Sequence, residues 1–84
     1  MCTGIVESAE VSGSGKGPQG WFKLEQVNVS YDHPTDANLD HALNIDFVNL
    51  KEGPSVRVAV EMSPESARKL VKAILTALSR GETP

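Results

Sequence analysis

Apolar and polar residues alternate along three stretches of the chain. Val56, Val58, Val60 and Met62 alternate with Ser55, Arg57, Ala59 and Glu61; Leu43, Ile45 and Phe47 alternate with Ala42, Asn44 and Asp46. Val27, Val29 and Tyr31 do the same with Gln26, Asn28 and Ser30. A period of two sends successive side chains to opposite faces, so each stretch reads as a half-buried strand. With a weaker first strand, in which Ile5, Ala9 and Val11 share one parity and Val6 the other, strands are expected over 4–11, 21–33, 41–49 and 55–62. Trp21-Phe22-Lys23-Leu24 runs out of phase with Val27-Val29. A bulge near Glu25-Gln26 would exchange the faces. Ser12 to Gly20 contains Gly13, Gly15, Gly17, Gly20 and Pro18, which predicts a loop in place of a strand.

After Met62 the period changes. Ala67, Leu70, Val71, Ile74, Leu75 and Leu78 form one continuous helical stripe, with Arg68, Lys69, Lys72, Thr76 and Ser79 on the other side. Ser63 suits an N-cap, Pro64 the first helical position, and Glu65 the positive end of the helix dipole. Gly81 is expected to close a helix over 64–80, leaving 82–84 as a frayed tail. The predicted fold is α+β: a four-stranded antiparallel meander sheet in the order 1-2-3-4, with one C-terminal helix packed on one face (ββββα), in one domain spanning 1–84. Ile74 and Leu75, mid-stripe, are expected to be buried and intolerant of charge.

Composition narrows the function classes. Hydrophobic residues make up 39% and charged residues 23%, a globular balance. One cysteine excludes an intramolecular disulfide, so a chain of 84 residues must rely on packing, a metal or self-association. The net charge is −3, with no clustered basic surface, which argues against nucleic acid as a partner. No apolar run has the length of a membrane span, and the absence of a signal peptide suggests a cytoplasmic protein.

Aligning the apolar faces predicts a register. Val27 opposes Phe47, Val29 opposes Ile45 and Tyr31 opposes Leu43, which sets His33 opposite His41. Phe47, Ile45 and Leu43 then oppose Val56, Val58 and Val60, which sets His41 opposite Met62. Directly opposed side chains are within reach of each other. Strand one starts at the same end and brings Cys2 there, with Asp32, Asp36 and Asp40 on the adjoining loop. Cys2, His33, His41 and Met62 make a donor set suited to copper, or to zinc with an open position. The plainer alternative has the histidines capping the sheet, Met62 filling core and Cys2 at an unstructured end. Removal of Met1 would also expose Cys2 as an amine–thiolate chelate or nucleophile.

Gly13-Ser14-Gly15-Lys16-Gly17 departs from a phosphate-binding P-loop: Glu10 occupies the first glycine position, Gly17 the Ser/Thr position, and a strand follows. A hairpin loop is the simpler reading, with a backbone anion nest as the alternative. Gln26, Asn28, Ser30, Asn44, Asp46, Arg57 and Glu61 form a polar outer face, with Asn28 beside Asp46 and Asp46 beside Arg57. Such a face is ordinarily solvated; it could also be the floor of a ligand site. Trp21 and Phe22 suit a dimer contact or a small-molecule pocket.

Met1-Cys2-Thr3, the segment SGSGKGPQGWF from Ser12 to Phe22, Tyr31-Asp32-His33-Pro34 and Leu43-Asn44-Ile45-Asp46-Phe47 resemble a family of short actinobacterial proteins of unknown function. The resemblance covers nearly the whole chain and implies a bacterial, cytoplasmic, free-standing protein, with no activity to transfer. Three readings stand open. One is a metal-binding protein or small metalloenzyme using Cys2, His33, His41 and Met62. Another is a metal-free ligand-binding protein or acid/base enzyme using His33 or His41 beside Tyr31 and Asp32. The third is a homodimeric structural or interaction module.

Overall fold

The computed structural model describes residues 4–83. Strands β1 (Ile5–Gly17), β2 (Gly20–Asp32), β3 (Ala42–Val48) and β4 (Arg57–Met62) form one antiparallel sheet in the order β1-β2-β3-β4. A 3-10 turn, Leu50–Glu52, precedes β4, and helix α1 (Pro64–Glu82) follows it. This is the expected ββββα meander.

The glycine-rich segment departs from the expected loop. Ser12–Gly17 is strand, and β1 and β2 meet in a tight hairpin whose Gly17 pairs with Gly20. Glycine serves close approach here. A Cβ on Gly15 would lie 2.9 Å from Leu24 Cδ2, and one on Gly17 would lie 3.0 Å from the Arg57 carbonyl oxygen. The hairpin end therefore coils across to the start of β4, and Phe22 is buried beneath it at 8% exposure. No anion nest remains in an extended strand.

The bulge lies on the other strand. Glu10 pairs with Gln26 and Gly13 with Leu24, so Val11 and Ser12 together oppose Glu25. With the extra residue in β1, β2 keeps its alternation, and Phe22 and Leu24 share a face with Gln26 and Asn28. The out-of-phase apolar pair is satisfied by a second small cluster on the polar face. Trp21, on the opposite parity, is 71% exposed.

Between β2 and β3 the register is as expected, with Val27↔Phe47, Val29↔Ile45 and Tyr31↔Leu43. Between β3 and β4 it is displaced by two residues: Phe47↔Val58, Ile45↔Val60 and Leu43↔Met62. Matching apolar faces cannot separate registers that differ by two, because both keep every side chain on its proper face. The connection decides it: Val56 N–H donates to the Gly53 carbonyl in a turn, so β4 begins only at Arg57. Asn49 anchors this connection. It is buried, its Nδ2 donates to the Lys23 carbonyl at 3.0 Å, and its Oδ1 accepts from the Lys51 N–H at 3.1 Å.

Helix α1 starts as predicted, with Ser63 Oγ accepting the Ser66 N–H at 3.1 Å and Pro64 in the first turn. It runs past Gly81 to Glu82, because Thr83 Oγ1 donates to the Ser79 carbonyl at 2.6 Å and satisfies a C-terminal acceptor without a left-handed glycine. Ala67, Leu70, Val71 and Ile74 face Val29, Tyr31, Leu43 and Ile45 across a cleft of about 350 Å³. The stripe is not buried, contrary to expectation. Leu70 is 37% exposed, Val71 56% and Leu75 62%, and no helix residue is buried. The helix is held mainly by its first half.

Candidate functional site at the open end of the sheet

The β2–β3 register ends at Asp32↔Ala42, which delivers His33 and His41 to the mouth of the β2–β3 connection. Their imidazoles stack with centroids 5.0 Å apart and planes 21° from parallel. Tyr31 extends the stack, its ring 5.7 Å from that of His41 and inclined by 13°. The expected juxtaposition of His33 and His41 is therefore present. Tyr31 lines the apolar cleft under the helix, whereas His33 lines a polar cleft of about 280 Å³ on the opposite face with Ser30, Asp32, Asn44, Asp46 and Glu61. The three rings thus pass around the end of the sheet from its apolar side to its polar side.

Of the other expected donors, Cys2 lies outside the described residues. Met62 stands opposite Leu43, two positions from the predicted pairing with His41. Asp32 accepts the His33 backbone N–H at 2.7 Å, which ties its carboxylate to the turn into the loop. Among the described residues, no group of three or more His, Cys, Asp or Glu side chains is gathered to hold a metal ion. The stacked imidazoles, able to donate and accept hydrogen bonds, lie beside the Tyr31 phenol.

The sequence pattern placed Glu61 on the polar outer face; in the structure it also holds the loop. Its carboxylate accepts the backbone N–H groups of Thr35, Asp36 and Ala37, at 3.0 Å for Asp36 and 3.1 Å for Ala37. The bond from Thr35, then those from Asp36 and Ala37, hold the Glu61 carboxyl below its ordinary value. The clip fixes the loop that separates the two histidines. Three consecutive amides after Pro34 were the available signal, but nothing in strand periodicity points a distant carboxylate at them.

The remaining polar face is knit by Gln26 Nε2 and Ser8 Oγ, which donate to Asn28 Oδ1 at 2.6 and 2.7 Å. Asn28 pairs with Asp46 as expected. Asp46 opposes Ala59, yet it reaches Arg57 diagonally, Oδ1 to Nη2 at 3.7 Å. An exposed pair of this kind adds little stability.

A family model described as a family of unknown function (DUF6295) matches residues 1–84. The chain belongs to that family. No curated protein and no solved structure matches the chain. Membership agrees with the resemblance carried by the chain's own segments and brings no activity with it. Among the described residues, no helix is long and apolar enough to cross a membrane.

Proposed function

We propose that the chain is a homodimeric interaction module whose helix is covered by a second copy. The observation that carries this reading is the uncovered apolar helix face: Val71, Ile74, Leu75 and Leu78 are all half-exposed or more. Fully burying one such side chain contributes roughly 1.5–3 kcal/mol, so a lone copy forgoes much of the helix's stabilising power. The accessible surface is 6351 Å², against about 4,850 Å² expected for a compact monomer of this mass. The radius of gyration is 14.1 Å, against about 12 Å expected. The surplus of roughly 1,500 Å² per chain exceeds the roughly 800 Å² each partner buries in a standard stable complex.

The test is the melting midpoint of the chain at increasing protein concentration, alone and as Leu75→Glu. Dissociation coupled to unfolding makes the midpoint rise with concentration. Leu75→Glu should abolish that rise and lower stability. On a monomer, a charge at a 62% exposed helix position outside the cleft would be nearly neutral. A flat midpoint with a neutral variant rejects the module.

The stacked imidazoles favour a second reading, ligand binding at the sheet end. In its metal form, His33 and His41 would hold zinc or copper with Cys2, and with Met62 or an aspartate. In its metal-free form, His33 or His41 would move a proton beside Tyr31 and Asp32. Elemental analysis and zinc or copper titration of the purified chain and of the His33→Ala and His41→Ala variants test the metal form. Stoichiometric uptake lost in both variants supports it, and no uptake rejects it.

A further inference from the structure

The helix directs its apolar residues two ways. Ala67, Arg68, Leu70, Val71 and Ile74 all line the cleft toward the sheet, whereas Leu75 and Leu78 take no part in it. Val71, Leu75 and Leu78 are spaced by four and three, the spacing of a helix–helix seam. Arg68 and Glu82 continue the same line at its two ends. Glu82 sits at the unfavourable end of its own helix dipole, an anion in the last turn, while Arg68 lies in the second turn. Lys69 pairs with Glu65 at 3.6 Å, but among the described residues neither Arg68 nor Glu82 enters an ion pair.

Resting on the dimer proposed above, we infer that two α1 helices pack antiparallel about a twofold axis at Leu75. Leu75 meets Leu75 of the partner subunit, Val71 lies beside Leu78 of the partner subunit, and Arg68 faces Glu82 of the partner subunit. The twofold repeats each contact, so the interface carries two Arg–Glu pairs flanking one apolar seam. Antiparallel packing sets Arg68 and Glu82 beside each other across the axis, and Glu82 beside the N-terminal half of the partner's helix. Parallel packing would set Arg68 against Arg68 and Glu82 against Glu82, which charge repulsion disfavours. The second copy, unlike an unrelated partner, supplies both the apolar seam and the matching charges from the same residues. Leu70 and Ile74 stay on the sheet side, so the pairing completes the core without displacing α1 from its own sheet.

The experiment uses the full chain in a Cys2→Ser background. Leu75→Cys, oxidised at a concentration where the chain is dimeric, should form a covalent dimer in high yield, while Lys69→Cys on the outer face should not. Arg68→Glu and Glu82→Arg should each weaken association about fivefold or more, and the two together should restore it. Circular dichroism confirms that each variant is folded. A dimer that does not cross-link through Leu75→Cys, or whose charge reversals are not mutually rescued, overturns this arrangement and leaves the dimer standing. A chain that is monomeric at every concentration overturns the dimer itself.

Discussion

Glu61 and Ala37, twenty-four positions apart, are joined directly: the Glu61 carboxylate on β4 accepts the Ala37 backbone N–H at 3.1 Å. The same carboxylate takes the Asp36 and Thr35 amides, so one side chain replaces water at three successive loop donors. A carboxylate is a strong acceptor for backbone N–H groups, and protonation weakens its hold on all three.

The clip has a pH signature. The folded-state pKa of Glu61 is lowered from 4.5, first by the Thr35 amide and then by those of Asp36 and Ala37. Its contribution to stability is therefore fully present above the ordinary value and is lost as pH falls through the depressed one. Denaturant unfolding of Glu61→Gln should show a shallower loss of stability below pH 4.5 than the parent chain. Hydrogen exchange at Thr35, Asp36 and Ala37 should accelerate in the variant at neutral pH. Equal acid sensitivity in the two proteins would show that the clip holds nothing.

Gly15 and Gly17 should respond differently to alanine. The Cβ of Gly15→Ala meets the end of the Leu24 side chain, which can rotate away; that of Gly17→Ala meets the Arg57 backbone carbonyl. Gly17→Ala should cost about 1–3 kcal/mol, within the range for overpacking, and Gly15→Ala less. The two unfolding midpoints, compared with the parent, check the order. A reversed order contradicts the coiled hairpin.

Asn49→Ala removes both bonds of a buried amide and leaves the Lys23 carbonyl without its side-chain partner. A loss of about 1–3 kcal/mol is expected, as for a buried polar group left unsatisfied. Chemical denaturation measures it. A loss below about 0.5 kcal/mol would mean that solvent reaches the Lys23 carbonyl.

The fold was legible because α1 and three of the strands obey single periodicities, and Ser63-Pro64 marks where one period replaces the other. Where the sequence misled, local signals were ambiguous. The glycines of 13–17 are indistinguishable from loop glycines until Phe22 and Leu24 are seen beneath them. The β3–β4 register is undetermined by period two, and the turn before Arg57 selects it. The meeting of His33 with His41 followed from the β2–β3 register alone, which is why it was legible. The Glu61 clip, a contact between a strand and a loop, has no periodic trace. Nor does periodicity reveal whether an apolar stripe is covered by its own sheet or by a second chain.

Sedimentation equilibrium of the unmodified chain tests the uncovered helix most directly. The expected mass is twice the 9.0 kDa of one chain, dissociating only on dilution. A mass of 9.0 kDa at every concentration, with the apolar face of α1 simply left to water, would contradict it.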